Sequence, residues 1–388
     1  MPIYFTSLDP TTVDNVLTFL EPYAPFTLGL IGNIANSRPN LVKAIKVYTS
    51  FEVDFTKPVQ TQSTYTDAGP GSTETALFSI IALQSREQAR FFCSADLKTS
   101  EPATSEEEAH VQEFFKEVIP IVAAFPPDNV DGPTPEYDIN PVGMKGRGYH
   151  IWRVHEKWAP CLDPITIQRS GPLVCLIRPP PPPREAFPPG TPPVTQSGRW
   201  IISRFGPSDI DFIQATSLIP RHRAYLESRA HSSISIHDSH LANANVNGTA
   251  KSNPIAWSLI QADGSFGVLW VEPSHRGLGL GDLVLDECVS RSEAYHGFSR
   301  KRVTGTGILG WQWADASPVN ARSVQFFSRQ EGWKIGWGTQ WITFDPDADT
   351  TTIDWSFRQV PTEESRRQEW GKNPRILRRP RDDDVTLV

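Results

Sequence analysis

The stretch RPPPPPREAFPPGTPPVTQSG, residues 178 to 198, restricts this chain more than any other. Nine of the 35 prolines fall inside it, five of them consecutive. Proline has no backbone donor and a fixed φ, so neither a sheet interior nor a helix can run through. Such a run reads as a stiff polyproline spacer, with a ligand for an SH3-type domain as the other use. Folding must therefore happen on either side, and 388 residues supply chain enough for two cores. The expected organisation is a domain over 1–177, a linker over 178–196, a second domain over 197–345 and a polar tail over 346–388.

Composition narrows the classes. Hydrophobic residues make up 38% and charged residues 21%, as in folded domains. A net charge of −7 argues against a nucleic-acid partner and against a polybasic membrane contact. No apolar run approaches the length of a bilayer span. The first residues, MPIYFTSLDPTTVDNVLTFL, contain no basic group, so no leader is expected and the protein reads as cytoplasmic. Cys93, Cys161, Cys175 and Cys288 lie far apart without CxxC spacing, which predicts reduced thiols and no metal site.

Both halves mix helical and extended signals, so the expected class is α/β with a mixed sheet. In the first, VDNVLTFLEPYAP predicts a helix and FTLGLIGNI a strand turning at Gly32-Asn33. ALFSIIALQ and PLVCLIR predict strands, and SEEEAHVQEFFKEVIPIVAAF a helix opened by a capping box of Ser105 and Glu108. In the second, SDIDFIQATSLI and RHRAYLESRAH predict helices and SSISIHD a strand followed by a loop over 238–252. PIAWSLIQ and SFGVLWVE predict a hairpin around Asp263-Gly264. A helix over 279–294, strands at KRVTGTGI and WQWAD, a helix at NARSVQFFSRQ and a strand at KIGWGTQWITF complete it.

The chemistry is written in WVEPSHRGLGLGDL, where Gly277, Gly279 and Gly281 alternate between a strand and a helix start. Unpaired amides and the positive end of a helix dipole make such a turn an anion site. A Walker loop is excluded, because Gly281 is followed by Asp282 and Leu283 rather than Lys-Ser/Thr. The dinucleotide fingerprint needs Gly-x-Gly-x-x-Gly after a lone parallel strand, and this spacing is different. The dinucleotide reading is therefore weak, and a tight turn without ligand stands beside it.

Arg276-x-x-Gly279-x-Gly281 after Val271-x-Pro273 resembles motif A of the GNAT N-acetyltransferase superfamily. Asn320-x-x-Ser323, Phe326-Phe327 and Gly332-Trp333 resemble its motif B helix and the turn after it, with one extra residue. PIAWSLIQADGSFGVLWVEPSHRGLGLG and YAPFTLGLIGNIANSRPN are similar to segments of the glycine N-acyltransferase family. That resemblance implies a C-terminal GNAT acyl-CoA N-acyltransferase fold, preceded by a smaller, degenerate GNAT-like α/β domain without the cofactor loop. It implies acetyl-CoA or another acyl-CoA as co-substrate and a small-molecule amine or amino acid as acceptor. Main-chain N–H groups from Gly277 through Leu278, Gly279, Leu280 and Gly281 to Asp282 would take the pyrophosphate, helped by the charge of Arg276. The strand at Leu269, Trp270 and Val271 would pair with the pantetheine amides, and Asn320 and Phe327 would lie along that arm.

The resemblance also exposes two departures. The family's general-base glutamate position holds Ser265, and its usual tyrosine position holds Phe327. Two other carboxylates are expected to substitute. Asp315 could be a base or an amine anchor, or could cap the following helix; Glu272 shares the face of Ser265 only if a bulge intervenes. A non-catalytic acyl-CoA-binding or protein-interaction module is the alternative function.

Overall fold

The structure, a computed structural model, describes residues 1–35, 45–58, 77–83, 88–98, 101–124, 150–169, 172–179, 196–197, 199–216, 221, 223–243, 252–261, 263–295, 311–344 and 348–357. The expected strand at KRVTGTGI, most of the proline segment and the end of the tail lie outside these residues. The first part of the chain runs through β1 (Tyr4–Ser7), α1 (Pro10–Leu20), α2 (Leu28–Ala35), β2 (Lys46–Thr49), β3 (Ser79–Leu83), β4 (Gln88–Cys93), α3 (Ser105–Ala123), β5 (His150–His155), β6 (Thr166–Arg169) and β7 (Leu173–Arg178). The second part follows as β8 (Gln196–Ser197), β9 (Trp200–Ser203), α4 (Pro207–Thr216), α5 (Arg223–Arg229), β10 (Ser233–Asp238), α6 (Ser239–Asn243), β11 (Ala256–Ile260), β12 (Phe266–Val271), α7 (Leu280–Tyr295), β13 (Gln312–Ala316), α8 (Ala321–Ser328) and β14 (Lys334–Phe344).

The fold is mixed α/β. One sheet has the order β1-β2-β3-β4-β5-β14-β7-β13, with β6 also on β14; the other has the order β12-β11-β10-β9-β8. All ladders are antiparallel except β4 with β5. The strand before the proline segment, β7, lies between β13 and β14 from the far end of the chain. The two halves thus share one sheet. No ladder joins β12 to β13 among the described residues, although they run side by side. The sheets part there, leaving a split between β12 and β13 that is the candidate cleft.

Helices cover both faces. α3 packs Val111, Phe114, Phe115 and Val118 on the first sheet, and residues Ile353 and Trp355 of the expected tail join that core. Gln112 donates to the Trp355 carbonyl at 2.9 Å, which ties that segment down. α7 covers one face of the second sheet and α4 and α5 the other, while α8 lies on β7 and β14 of the first sheet. Three local expectations shift, the first being the start of the expected loop over 238–252, which is helix α6. The segment LGLIGNIA is helix α2 rather than a strand, and all of Leu28 to Ile34 is buried. A short run that is apolar on every side carries no period to separate the two. The capping box of α3 is Thr104 with Glu107, one residue before the expected pair.

Candidate functional site

Strand β12 forms the edge of the second sheet and carries an irregularity that sets the site. Its register with β11 shifts between Trp257↔Trp270 and Leu259↔Gly267, so two residues, Val268 and Leu269, oppose Ser258 alone. Val268 takes φ +58°, an outlier for a β-branched side chain. The bulge resets the alternation. Phe266, Leu269 and Val271 pack toward α7, while Val268 and Trp270 pack toward α4 and α5. By the same count Ser265 and Glu272 share the α4–α5 face. The condition attached to Glu272 is therefore met.

Past β12 the chain turns through the three glycines, which have separate reasons for being glycine. Gly277 and Gly279 take φ +79° and +73°, and a Cβ on either would meet nothing within 4 Å. They serve the backbone path and leave open, exposed space. A Cβ on Gly281 would come within 2.9 Å of the Phe326 ring, so this glycine lets α8 lie against the first turn of α7. The first intrahelical bond runs from Leu283 N–H to the Gly279 carbonyl at 3.0 Å. The N–H groups of Gly279, Leu280, Gly281 and Asp282 therefore precede any helical acceptor, and an anion is the partner such a terminus takes.

The flanking side chains frame this turn. Arg276 donates to the Val271 carbonyl at 3.1 Å and lies over the Trp270 ring at 5.3 Å, so its charge is drawn back onto the strand end. The Asp282 carboxylate accepts from Gln330 at 2.7 Å. Leu278 is half exposed at the loop tip, and Leu280 points into the core. Trp270 donates to Glu272 at 3.1 Å and stacks on Trp257.

Across the cleft, Asp315 of β13 is held by Arg153 of β5 through two bonds of 2.8 and 2.9 Å. Their side chains are 15% and 9% exposed. It does not cap α8; Asn320 does, accepting from Ser323 N–H at 3.2 Å. Asn320 is exposed, whereas Phe327 is 4% exposed and packs on Trp333. Of the two adjacent phenylalanines, Phe326 is the one that reaches the glycine turn. Cys175 lies opposite Asp315 in the ladder, and burial, then the Asp315 charge, push its thiol up.

A polar chain that the sequence reading had missed backs Ser265. Arg221 donates to Gln261 at 3.2 Å, Gln261 to Ser265 at 2.9 Å, and Ser265 to Asp263 at 2.7 Å. From the other side Arg90 of β4 donates to Asp263 at 2.7 Å. Burial alone would raise the Asp263 carboxyl, but the Arg90 charge and hydrogen bond, with those of Ser265, outweigh it and hold it low. The sequence marks Asp263-Gly264 only as a turn, because nothing local records the distant arginine. No His/Cys/Asp/Glu group able to hold a metal occurs among the described residues.

No protein-family model and no curated protein sequence matches the chain. Among solved structures it is similar to a Drosophila protein, at 14% identity over 89% of this chain and 99% of that one, with a TM-score of 0.47. It is also similar to a tandem GNAT protein from the clavulanic acid biosynthesis pathway, at 10% identity over 89% and 100% of the two chains, TM-score 0.38. A GNAT-family acetyltransferase from Colwellia psychrerythraea aligns at 9% identity over 89% and 100%, TM-score 0.37.

Proposed function

We propose that this chain is a GNAT-type N-acyltransferase, acylating the amine of a small molecule or amino acid from acetyl-CoA or another acyl-CoA. One observation supports it most. A bulged edge strand leads into a glycine turn whose first helical N–H groups have no helical acceptor, beside a split between two strands. Bound there, an acyl-CoA would supply an electrophilic thioester. The N–H groups of Gly279 to Asp282 would hold the pyrophosphate, and the edge of β12 at Leu269, Trp270 and Val271, which has no ladder beyond it among the described residues, would accept an extended amide chain as a sheet accepts a strand. The bulge at Val268 and Leu269 re-aims a backbone N–H, the kind of donor that stabilises a developing oxyanion.

On the acceptor side, both carboxylate oxygens of Asp315 accept from the Arg153 guanidinium. Asp315 is better suited to anchor an incoming ammonium through its remaining lone pairs. Glu272 has no ion pair among the described residues and stays the candidate to receive a proton, through water, from the face it shares with Ser265. The non-catalytic acyl-CoA-binding reading draws on the same observations, namely Ser265 in place of a glutamate and Asp315 committed to Arg153.

Calorimetry with coenzyme A tests the loop. Wild type should bind, and Gly279→Glu, which strains φ +73° and sets a carboxylate beside the amides, should weaken binding at least ~10-fold. Equal affinity in a folded Gly279→Glu protein would remove the glycine turn from the cofactor site. A mass-spectrometric screen of pooled amines with acetyl-CoA and longer acyl-CoAs then separates enzyme from binder.

A further inference from the structure

Three arginines lie around the hairpin that begins β12, and two are neutralised. Arg90 holds Asp263 and Arg153 holds Asp315. The third, Arg221, lies between α4 and α5, and among the described residues its guanidinium bonds only the neutral amide oxygen of Gln261, at 3.2 Å. Its Nε–H is buried without an acceptor, and no carboxylate among the described residues pairs with it. A guanidinium offers five donors in a planar fork suited to a carboxylate. Here the fork is positioned, with the Tyr225 ring 5.8 Å from its centre and its own carbonyl held by Gln214 at 3.1 Å, yet its charge is unmatched.

Its position relative to β12 gives that charge a use. The Gln261 side chain lies across Gly267, where a Cβ would come within 2.6 Å of it, so it covers a bare patch on the face that Ser265 and Trp270 share. Gln261 in turn donates to Ser265 at 2.9 Å. Arg221 is therefore one side chain away from Ser265 and close to the bulge at Val268 and Leu269.

We infer that Arg221 is the residue that selects the acceptor, binding a carboxylate carried by the amine that is acylated. This rests on the acyltransfer reading above. An acceptor held by its anionic end at Arg221 would extend its amine past Gln261 toward the bulged strand and Asp315, while Arg90 and Arg153, already paired, would not compete for it.

The test compares amino acids with their own primary amides, glycine with glycinamide and phenylalanine with phenylalaninamide among them, at equal free-amine concentration and with one acyl-CoA. Wild type should prefer the acids, by roughly 10–100-fold in kcat/KM for loss of one charge-assisted contact. Arg221→Gln should collapse that ratio toward one, chiefly through KM for the acids, and Arg221→Lys should keep part of it. Similar melting temperatures of the three proteins establish that the fold is unchanged. Equal use of acids and amides by wild type, or a ratio unaltered in Arg221→Gln, overturns the assignment. Failure of wild type to acylate any amine while it still binds coenzyme A overturns the acyltransfer reading and this inference with it. Acylation of neutral amines alone overturns only the inference.

Discussion

Asp315 and Arg153 show how a single residue can be legible in a sequence and still be misjudged. The position of Asp315 five residues before Asn320 marked it as a candidate carboxylate, and in the fold it lies on β13 bonded to Arg153. Arg153 could not be anticipated, since it lies 162 residues away and carries no local pattern. The pairing changes the experiment. Asp315→Asn leaves Arg153 buried and uncompensated, which costs about 3–5 kcal/mol of stability on its own. Lost activity in that variant would therefore say little. Arg153→Met with Asp315→Asn removes both charges and should recover most of that stability in thermal denaturation. If Asp315 anchors the acceptor amine, turnover of the double variant stays down by roughly 10–100-fold. If the carboxylate serves only to neutralise Arg153, turnover returns together with stability.

At the scale of elements, what the sequence disclosed depended on period. The second half was readable because β10, β11, β12, α7 and α8 each carry either turn residues at their ends or one apolar face. The Asp-Gly hairpin and the alternating glycines fixed the order of β11, β12 and α7. α2 was misjudged because it is buried on every side, and β7 was placed with its neighbours in sequence although its ladders are with β13 and β14. The bulge in β12 was invisible for a different reason. It is a property of pairing with β11, and only the condition on Glu272 made room for it. Val268 bears its strain, with φ +58° against a cost of roughly 1–2 kcal/mol for a left-handed L-residue. Val268→Gly should therefore relieve about as much as it loses in burial, leaving stability within ~1 kcal/mol of wild type. Ordinary strand valines lose about 2 kcal/mol or more on the same change. A melting curve far below wild type would mean that the Val268 side chain, and not the pairing, maintains the bulge.

Across the whole molecule, the hairpin that begins β12 is pinned to the other half of the chain. A Cβ on Gly32 of α2 would overlap the Asp263 carbonyl, so α2 accepts the hairpin tip only at a glycine. Arg90, 4.4 Å from the centre of the Trp341 ring, reaches the same aspartate, and both side chains of the pair are 7% exposed. The orientation of the cleft's edge strand thus depends on one buried ion pair between the sheets. Arg90→Met should lower stability by about 3–5 kcal/mol near neutral pH, because Asp263 then stays charged in an apolar place. The pH dependence identifies the cause. In wild type the Asp263 carboxyl is held below its ordinary value, so its contribution is present above the unfolded pKa and is lost as acid titrates it. Without Arg90 burial dominates and raises that carboxyl, so the folded state takes up a proton more readily than the unfolded one. Stability of the variant is then greatest below the unfolded carboxylate pKa of about 3.9 and falls as pH rises through the raised folded value. The deficit of Arg90→Met against wild type should accordingly shrink as pH drops from 7 toward 5. Arg90→Met with Asp263→Asn should lose that dependence and melt above the single variant at pH 7, since the amide oxygen still accepts from Ser265. A deficit that is constant with pH would mean that Arg90 matters through its packing on Trp341, and that the charge pair does not hold the hairpin.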